Sequence, residues 1–148
     1  MNRLNLGIFG NREFKTNQLE AVTITLADQN LLLCLPTGGG KSLCFQLPGI
    51  IDGGLTIIIS PLLALIHDQV KTLRRLGLEA RGISSRSTYQ EFSEVVTLMK
   101  QAESPLRFLY ITPERLHRSP RFLEVLREQY RKGNVSRFVI DEAHCISE

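Results

Sequence analysis

The sequence predicts an α/β fold, a parallel sheet flanked by helices, from three observations. Four short runs, "NLLLCL" (30–35), "LTIIIS" (55–60), "RFLYIT" (107–112) and "SRFVID" (136–141), are apolar on both faces rather than alternating, as strands buried in a parallel sheet are. The segments between them carry helical periodicity. Strand and helix then alternate along the chain, which implies βαβ crossovers and a sheet covered by helices. "EARGI" (79–83) is a fifth, less apolar candidate strand. The 148 residues read as one domain (1–148), long enough to bury a core.

Each element has its own signal. "TNQLEAVTITLAD" (16–28) predicts the first helix, and a second begins near Lys41, after the glycines of "LPTGGGKSLCFQLP" (35–48). In "PLLALIHDQVKTLRRL" the residues Leu62, Ile66, Val70, Leu73 and Leu76 recur at helical spacing, with Ser60 as expected N-cap and Pro61 as first helical residue. "STYQEFSEVVTLMKQA" (87–102) is opened by a hydroxyl residue. "SPRFLEVLREQYRKG" repeats the design, with Ser119 as cap, Pro120 at the first position and Gly133 just past the end. No repeat, low-complexity tract or linker interrupts the pattern.

Composition narrows the classes. Hydrophobic residues make up 43%, yet no apolar run approaches the ~18 residues of a membrane span, so no membrane partner is expected. The start, "MNRLNLGIFG", lacks the apolar stretch of a signal peptide, which makes nucleus or cytoplasm the expected location. Cys34, Cys44 and Cys145 form no C-x-x-C pair, against a zinc ribbon or a disulfide framework, and each is expected to be a small buried filler. Net charge is +3, a mild basicity compatible with nucleic acid. Residues 107–132 concentrate it, with seven Lys or Arg against three Glu, on a face that either meets DNA or is solvated.

The loop at 35–48 nearly matches the phosphate-loop pattern G-x-x-x-x-G-K-[ST], with Leu35 at the first glycine position. The required parts are a strand (30–35), a loop with Thr37, Gly38, Gly39 and Gly40, and a helix beginning near Lys41. Backbone N–H groups of Gly38 to Ser42 would face phosphates at a helix N-terminus. Lys41 would reach the β- and γ-phosphates of ATP, and the Ser42 hydroxyl would ligate Mg²⁺. A glycine-rich turn that binds nothing would not need a lysine and serine directly after it.

The acidic partner is "RFVIDEAH" (137–144), apolar strand residues followed by Asp141 and Glu142. At a strand tip, Asp141 would hold Mg²⁺, and Glu142 would orient and deprotonate the attacking water. That makes the site a hydrolase rather than a kinase. Lys41 and Asp141 are a hundred residues apart in sequence, and adjacent tips of one parallel sheet would bring them together.

These motifs resemble those of RecQ-family DNA helicases, within helicase superfamily 2. "PTGGGKSLCFQLP" is similar to motif I, where the missing first glycine is normal, "ISPLLALIHDQV" (59–70) to motif Ia, "YITPERL" (110–116) to motif Ib and "VIDEAHCIS" (139–147) to motif II. "FGNREFKTNQLEAV" (9–22) resembles the adenine-reading motif 0. The wording leans towards the eukaryotic, Bloom-type branch, which implies a nuclear protein, and the likeness runs from Phe9 to Glu148.

The resemblance implies a RecA-like lobe with further roles. Gln18 would bond the adenine edge, beside Lys15, which stands where the family usually has an arginine that stacks on the base. Ser60, Pro61, Thr112 and Pro113 would lie against the backbone of single-stranded or forked DNA, without reading sequence. His144 would couple the nucleotide site to the DNA side. A second RecA-like lobe would supply an arginine finger, whose loss costs about 10³–10⁵ in rate. The chain stops after motif II, so the expectation is an ATP-dependent 3′–5′ helicase lobe acting in repair and recombination, incomplete and inactive in unwinding alone. A catalytically dead nucleic-acid- or partner-binding remnant is the alternative. An RNA helicase of the D-E-A-H type fits less well because of the triple glycine and upstream motif.

Overall fold

The computed structural model describes residues 1–36, 38 and 40–143. Of the residues singled out above, Thr37, Gly39, His144 and Cys145 lie outside the described residues. The chain divides into two compact units, Met1–Gly53 and Gly54–Glu148.

The first unit holds three helices, α1 (Asn2–Phe9), α2 (Gln18–Leu26) and α3 (Leu43–Asp52). Helix α1 stops at Gly10, whose left-handed φ of 71° lets its own N–H close on the Leu6 carbonyl and the Asn11 N–H on the Asn5 carbonyl. The core here is small: Val22, Leu43 and Leu47 are buried, with Phe9, Phe14 and Leu26 packed against them.

Residues 30–36 form no strand, which corrects the expectation for 30–35. Leu31 and Leu32 are exposed, Leu32 at 84%. An apolar run becomes a strand only where a neighbouring strand takes up its N–H and C=O groups. Among the described residues the first unit contains no strand. The same departure leaves Cys34 exposed, against its expected burial, while Cys44 is buried as expected.

The second unit is the sheet: β1 (Leu55–Ile59), α4 (Leu63–Arg75), β2 (Glu79–Ile83), α5 (Tyr89–Lys100), β3 (Leu106–Ile111), α6 (Pro113–His117), α7 (Pro120–Arg131) and β4 (Val135–Ile140). All pairings are parallel, in the order β2-β3-β1-β4. This is the α/β architecture that the alternating pattern predicts. On one face Ile57, Ile83, Leu109 and Ile111 pack against Phe92, Val95 and Met99 of α5 and Phe122, Val125 and Leu126 of α7. The rings of Phe92 and Phe122 lie 5.8 Å apart at 60°, and the Arg115 guanidinium sits 4.5 Å over Phe92. Helix α4 buries Ile66 and Leu73. It runs so close to β2 that a Cβ on Gly82 would stand 2.7 Å from Ile66 Cγ2.

Helix α4 begins at Leu63 with Leu62 as its cap, not at Pro61 behind a Ser60 cap. The Ser60 N–H is committed to the Ile111 carbonyl at 3.0 Å, which prolongs the sheet past the expected helix start. Thr88 opens α5 with a full capping box, accepting from the Glu91 N–H while Glu91 accepts from the Thr88 N–H. Strand β4, at the edge of the sheet, leaves Phe138 and Ile140 exposed on one of its faces. Among the described residues no helix is long and apolar enough to cross a membrane.

Candidate functional site

The four strands end in register. Ile83 pairs with Ile111, Ile111 with Ile59, and Ile59 with Ile140, so one row of isoleucines crosses the sheet. The residues that follow, Ser84, Thr112, Ser60 and Asp141, make the next row. Three of their backbone N–H groups extend the ladder: Thr112 to the Ile83 carbonyl, Ser60 to Ile111 and Asp141 to Ile59, at 2.9–3.2 Å. Ligand-binding groups of open parallel sheets gather at this carboxyl edge. The fold thus brings together Ser60, Thr112 and Asp141, which sequence reasoning chose, and adds Ser84, which it missed. A signal was there to find, because each of the four strands ends in isoleucine followed by Ser, Thr or Asp.

The hydroxyls of this row are held inside. Thr112 is 2% exposed and caps α6, its Oγ1 accepting from the Arg115 N–H at 3.4 Å. Ser60 is 1% exposed, and its buried Oγ has no hydrogen-bond partner among the described residues, a condition that costs about 1–3 kcal/mol. Pro61 and Pro113 are half-buried. Ser84 anchors the turn after β2, its Oγ accepting from the Arg86 N–H and its own N–H donating to Ser87 Oγ.

Asp141 and Glu142 are half-buried directly after β4. Glu142 takes a left-handed φ of 54°, costly for a residue with a Cβ, and its N–H donates to Asp141 Oδ1 at 3.1 Å.

The phosphate loop belongs to the first unit. Gly38 and Gly40 have positive φ, 76° and 77°. Left-handed backbone of this kind is what glycine adopts without cost. Lys41 and Ser42, both half-buried, lead into α3. Gln18 is only 3% exposed and clasps the loop: its Oε1 accepts from the Lys15 N–H at 2.7 Å while its Nε2 donates to the Gly40 carbonyl at 3.0 Å. Lys15 Nζ donates to the Gly38 carbonyl at 2.8 Å. A Cβ on Gly40 would overlap Gln18 Nε2, so only glycine fits beneath this amide. Burial pushes the Cys44 thiol up, against a smaller opposing effect of its backbone hydrogen bond. It stays protonated and is packing, not chemistry.

Ser42 and Asp141 offer hard oxygens. Among the described residues no cluster of three His, Cys, Asp or Glu could hold a metal by itself.

Comparison with known proteins bears on the same residues. The family model for DEAD/DEAH box helicases matches residues 15–148. The chain is 42% identical over 140 residues to the RecQ-like DNA helicase BLM of Xenopus laevis, covering 95% of this chain and 10% of that protein. It is 38% identical over 141 residues to the ATP-dependent DNA helicase Q1 of Rattus norvegicus, covering 95% and 23%. It is 41% identical over 138 residues to the ATP-dependent DNA helicase hus2/rqh1 of Schizosaccharomyces pombe, covering 90% and 10%. The chain therefore spans between a tenth and a quarter of these relatives' lengths. A phosphate loop with its buried glutamine, an Asp-Glu pair closing a parallel strand and a family match from residue 15 to residue 148 agree: the chain belongs to the DEAD/DEAH box helicase family.

Proposed function

We propose that this chain is the ATP-binding lobe of a RecQ-type ATP-dependent 3′–5′ DNA helicase, coupling hydrolysis to strand separation in nuclear repair and recombination. The observation that carries the reading is the Gln18 clasp on Gly40. A primary amide has two N–H donors and two acceptor sites. The loop and the Lys15 N–H use one of each, so one donor and one acceptor remain. Those match N7 and N6 of adenine, whereas guanine presents an acceptor, O6, in place of the N6 donor. The same residue then ties base identity to the shape of the phosphate loop.

In hydrolysis a water oxygen attacks the γ-phosphorus, the bond to the ADP oxygen breaks, and the water's proton must be removed. Glu142 takes that proton. The backbone N–H groups of Gly38 to Ser42 and the Lys41 ammonium hold the triphosphate in line, and Ser42 and Asp141 are the metal contacts. Mg²⁺, when bound, supplies charge that offsets the negative charge of the β- and γ-phosphate oxygens. Pro61 and Pro113, half-buried at the strand ends, give the DNA strand its seat, while Ser60 and Thr112, expected to touch it, are buried beneath and shape that seat rather than contact the strand. A second RecA-like lobe would supply the remaining wall of the cleft and an arginine, and unwinding would need both lobes.

The test is calorimetry of Mg²⁺-ATP binding to the chain and to Lys41→Ala. Binding that disappears in the variant supports a formed phosphate site. Absence of binding in both sinks the nucleotide reading for this chain. The second reading, a nucleic-acid- or partner-binding remnant, is favoured by one observation, the lack of a strand at residues 30–36 leading into the loop. It requires DNA affinity that survives Lys41→Ala and ignores nucleotide.

A further inference from the structure

We propose that the groove along the free edge of β2 holds the sugar–phosphate backbone of nucleic acid, as a continuation of the strand-end row. The inference rests on the reading above that this lobe engages a nucleic-acid strand, and it adds a contact that none of the helicase motifs contains.

The groove has a volume of about 830 Å³ and lies between α4 and α5 with β2 at its base. Five cationic side chains line it, Lys71, Arg74, Arg75, Arg81 and Arg86, against three carboxylates, an excess of two. The carboxylates are partly occupied locally. Glu91 accepts from the Thr88 N–H at 2.6 Å in the helix cap, and Glu94 accepts from Gln90 at 3.2 Å. Asp68 is the third. Arg81 is bound by Glu79 at 2.8 Å. The other four cations, Lys71, Arg74, Arg75 and Arg86, are exposed, and none has an ion pair among the described residues.

Their placement follows the shape of a polyanion. Lys71, Arg74 and Arg75 are spaced three and four apart and share one face of α4. Arg86 stands at the other end, on a turn fixed by the Ser84 and Ser87 hydroxyls. At the base, Gly82 is exposed on the edge strand, and its lack of a side chain lets Ile66 and Val70 of α4 close onto β2. The Ile83 carbonyl bonds inward to Thr112, and alternation along a strand turns the Gly82 N–H the other way, towards the groove.

The groove mouth continues the row of strand ends. Ser84 follows Ile83, which pairs with Ile111, which pairs with Ile59. Ser84 is therefore two strand spacings from Ser60, about 10 Å. A backbone seated over the strand ends at Pro61 and Pro113 has Arg86 as the next exposed cation along the row.

The test uses the whole chain, a labelled single-stranded oligothymidylate and a hairpin duplex, with fluorescence anisotropy followed from about 50 to 200 mM salt. The variant Lys71→Gln/Arg74→Gln/Arg75→Gln removes three groove charges. Arg3→Gln/Lys100→Gln removes two exposed charges, one from α1 and one from the end of α5, outside the groove lining and the basic stretch 107–132, and controls for net charge. The groove variant is expected to flatten the plot of log K against log salt by about 2, at ~0.7 per phosphate of a single strand, while the control keeps the wild-type slope. Arg86→Gln, which leaves α4 untouched, flattens it by about 0.7. A larger change with the hairpin assigns the groove to duplex, and with the oligothymidylate to single strand. An unchanged slope in the groove variants, or equal flattening by the control, overturns the groove alone. A wild-type chain that binds neither nucleic acid overturns the groove and the DNA reading together.

Discussion

The two units of this chain are held by different means. In Gly54–Glu148 a parallel sheet is sandwiched by helices, and its apolar cluster draws on strands and helices from Leu55 to Val135. In Met1–Gly53 the buried cluster is Val22, Leu43 and Leu47, and much of the loop's definition comes from polar bonds, the Gln18 amide and the Lys15 ammonium on glycine carbonyls. The difference teaches where shape and chemistry reside. The sheet unit fixes a row of strand ends by ladder geometry. The phosphate-loop unit fixes its site by a few hydrogen bonds, the kind of region that opens locally at low cost.

The sharpest way to break that comparison is to truncate each core in turn. Phe122 is fully buried in the sheet unit, and Phe122→Ala is expected to cost about 3–5 kcal/mol in urea denaturation. Leu47 is equally buried in the first unit, but its small cluster can close around the gap, so Leu47→Ala should fall near the low end, about 2 kcal/mol. A larger loss for Leu47→Ala would reverse the ranking. Hydrogen exchange offers an independent check: amides of α2 and α3 should exchange before those of β1 and β3.

The next effect isolates the polar clasp. Gly40→Ala places a Cβ on Gln18 Nε2 in a left-handed conformation. The backbone strain is about 1–2 kcal/mol and the lost hydrogen bond about 1 kcal/mol, which together predict roughly 30- to 150-fold weaker Mg²⁺-ATP binding by calorimetry. The urea midpoint of the sheet unit should stay where it is. Gln18→Ala sharpens the point, because inorganic tripolyphosphate has no base to read. A severalfold loss for that ligand means Gln18 shapes the loop, whereas loss for ATP alone means it only reads adenine.

Much of the sheet unit was legible in sequence because its signals are local. Runs at 55–60, 79–83, 107–112 and 136–141 lie within a residue of β1 to β4, and Thr88 and Pro120 mark their helices. The failures are all non-local. "NLLLCL" has strand composition but no partner strand in its unit, and pairing cannot be read from one run. Ser60 looks like a cap, yet its N–H goes to Ile111, more than fifty residues away. For the site, the loop, Lys41, Asp141 and Glu142 follow from motif spacing. The Gln18–Gly40 bond across 22 residues does not, nor does the convergence of α4 and the turn after β2 on one groove.

A smaller prediction stays within the sheet unit. Thr88→Ala removes the hydroxyl that accepts from Glu91 N–H and dismantles the capping box of α5. The expected loss is about 1 kcal/mol in the denaturation of that unit, with Mg²⁺-ATP binding unchanged. Loss of nucleotide affinity in this variant would mean that the two units do not separate stability from chemistry as the comparison holds.

The smallest effect tests whether surface polar bonds matter in the sheet unit as the clasp does in the other. Lys132 Nζ lies 2.6 Å from Glu128 Oε1 on the exposed end of α7. The hydrogen bond first, and then the charge of Lys132, hold the Glu128 carboxyl below its ordinary value. A carboxyl lowered in the folded state adds stability above its unfolded value and loses it as pH falls through the folded one. The pair is solvated, so no shift in a urea midpoint is expected between pH 7 and pH 3 from this group. Its signature is spectroscopic: in carbon NMR the Glu128 carboxyl should titrate at lower pH in the wild type than in Lys132→Gln. Coincident titrations would show that the pair is not populated in solution. Such an outcome would widen the contrast, leaving the sheet unit held by its core and ladder while polar clasps are confined to the phosphate loop.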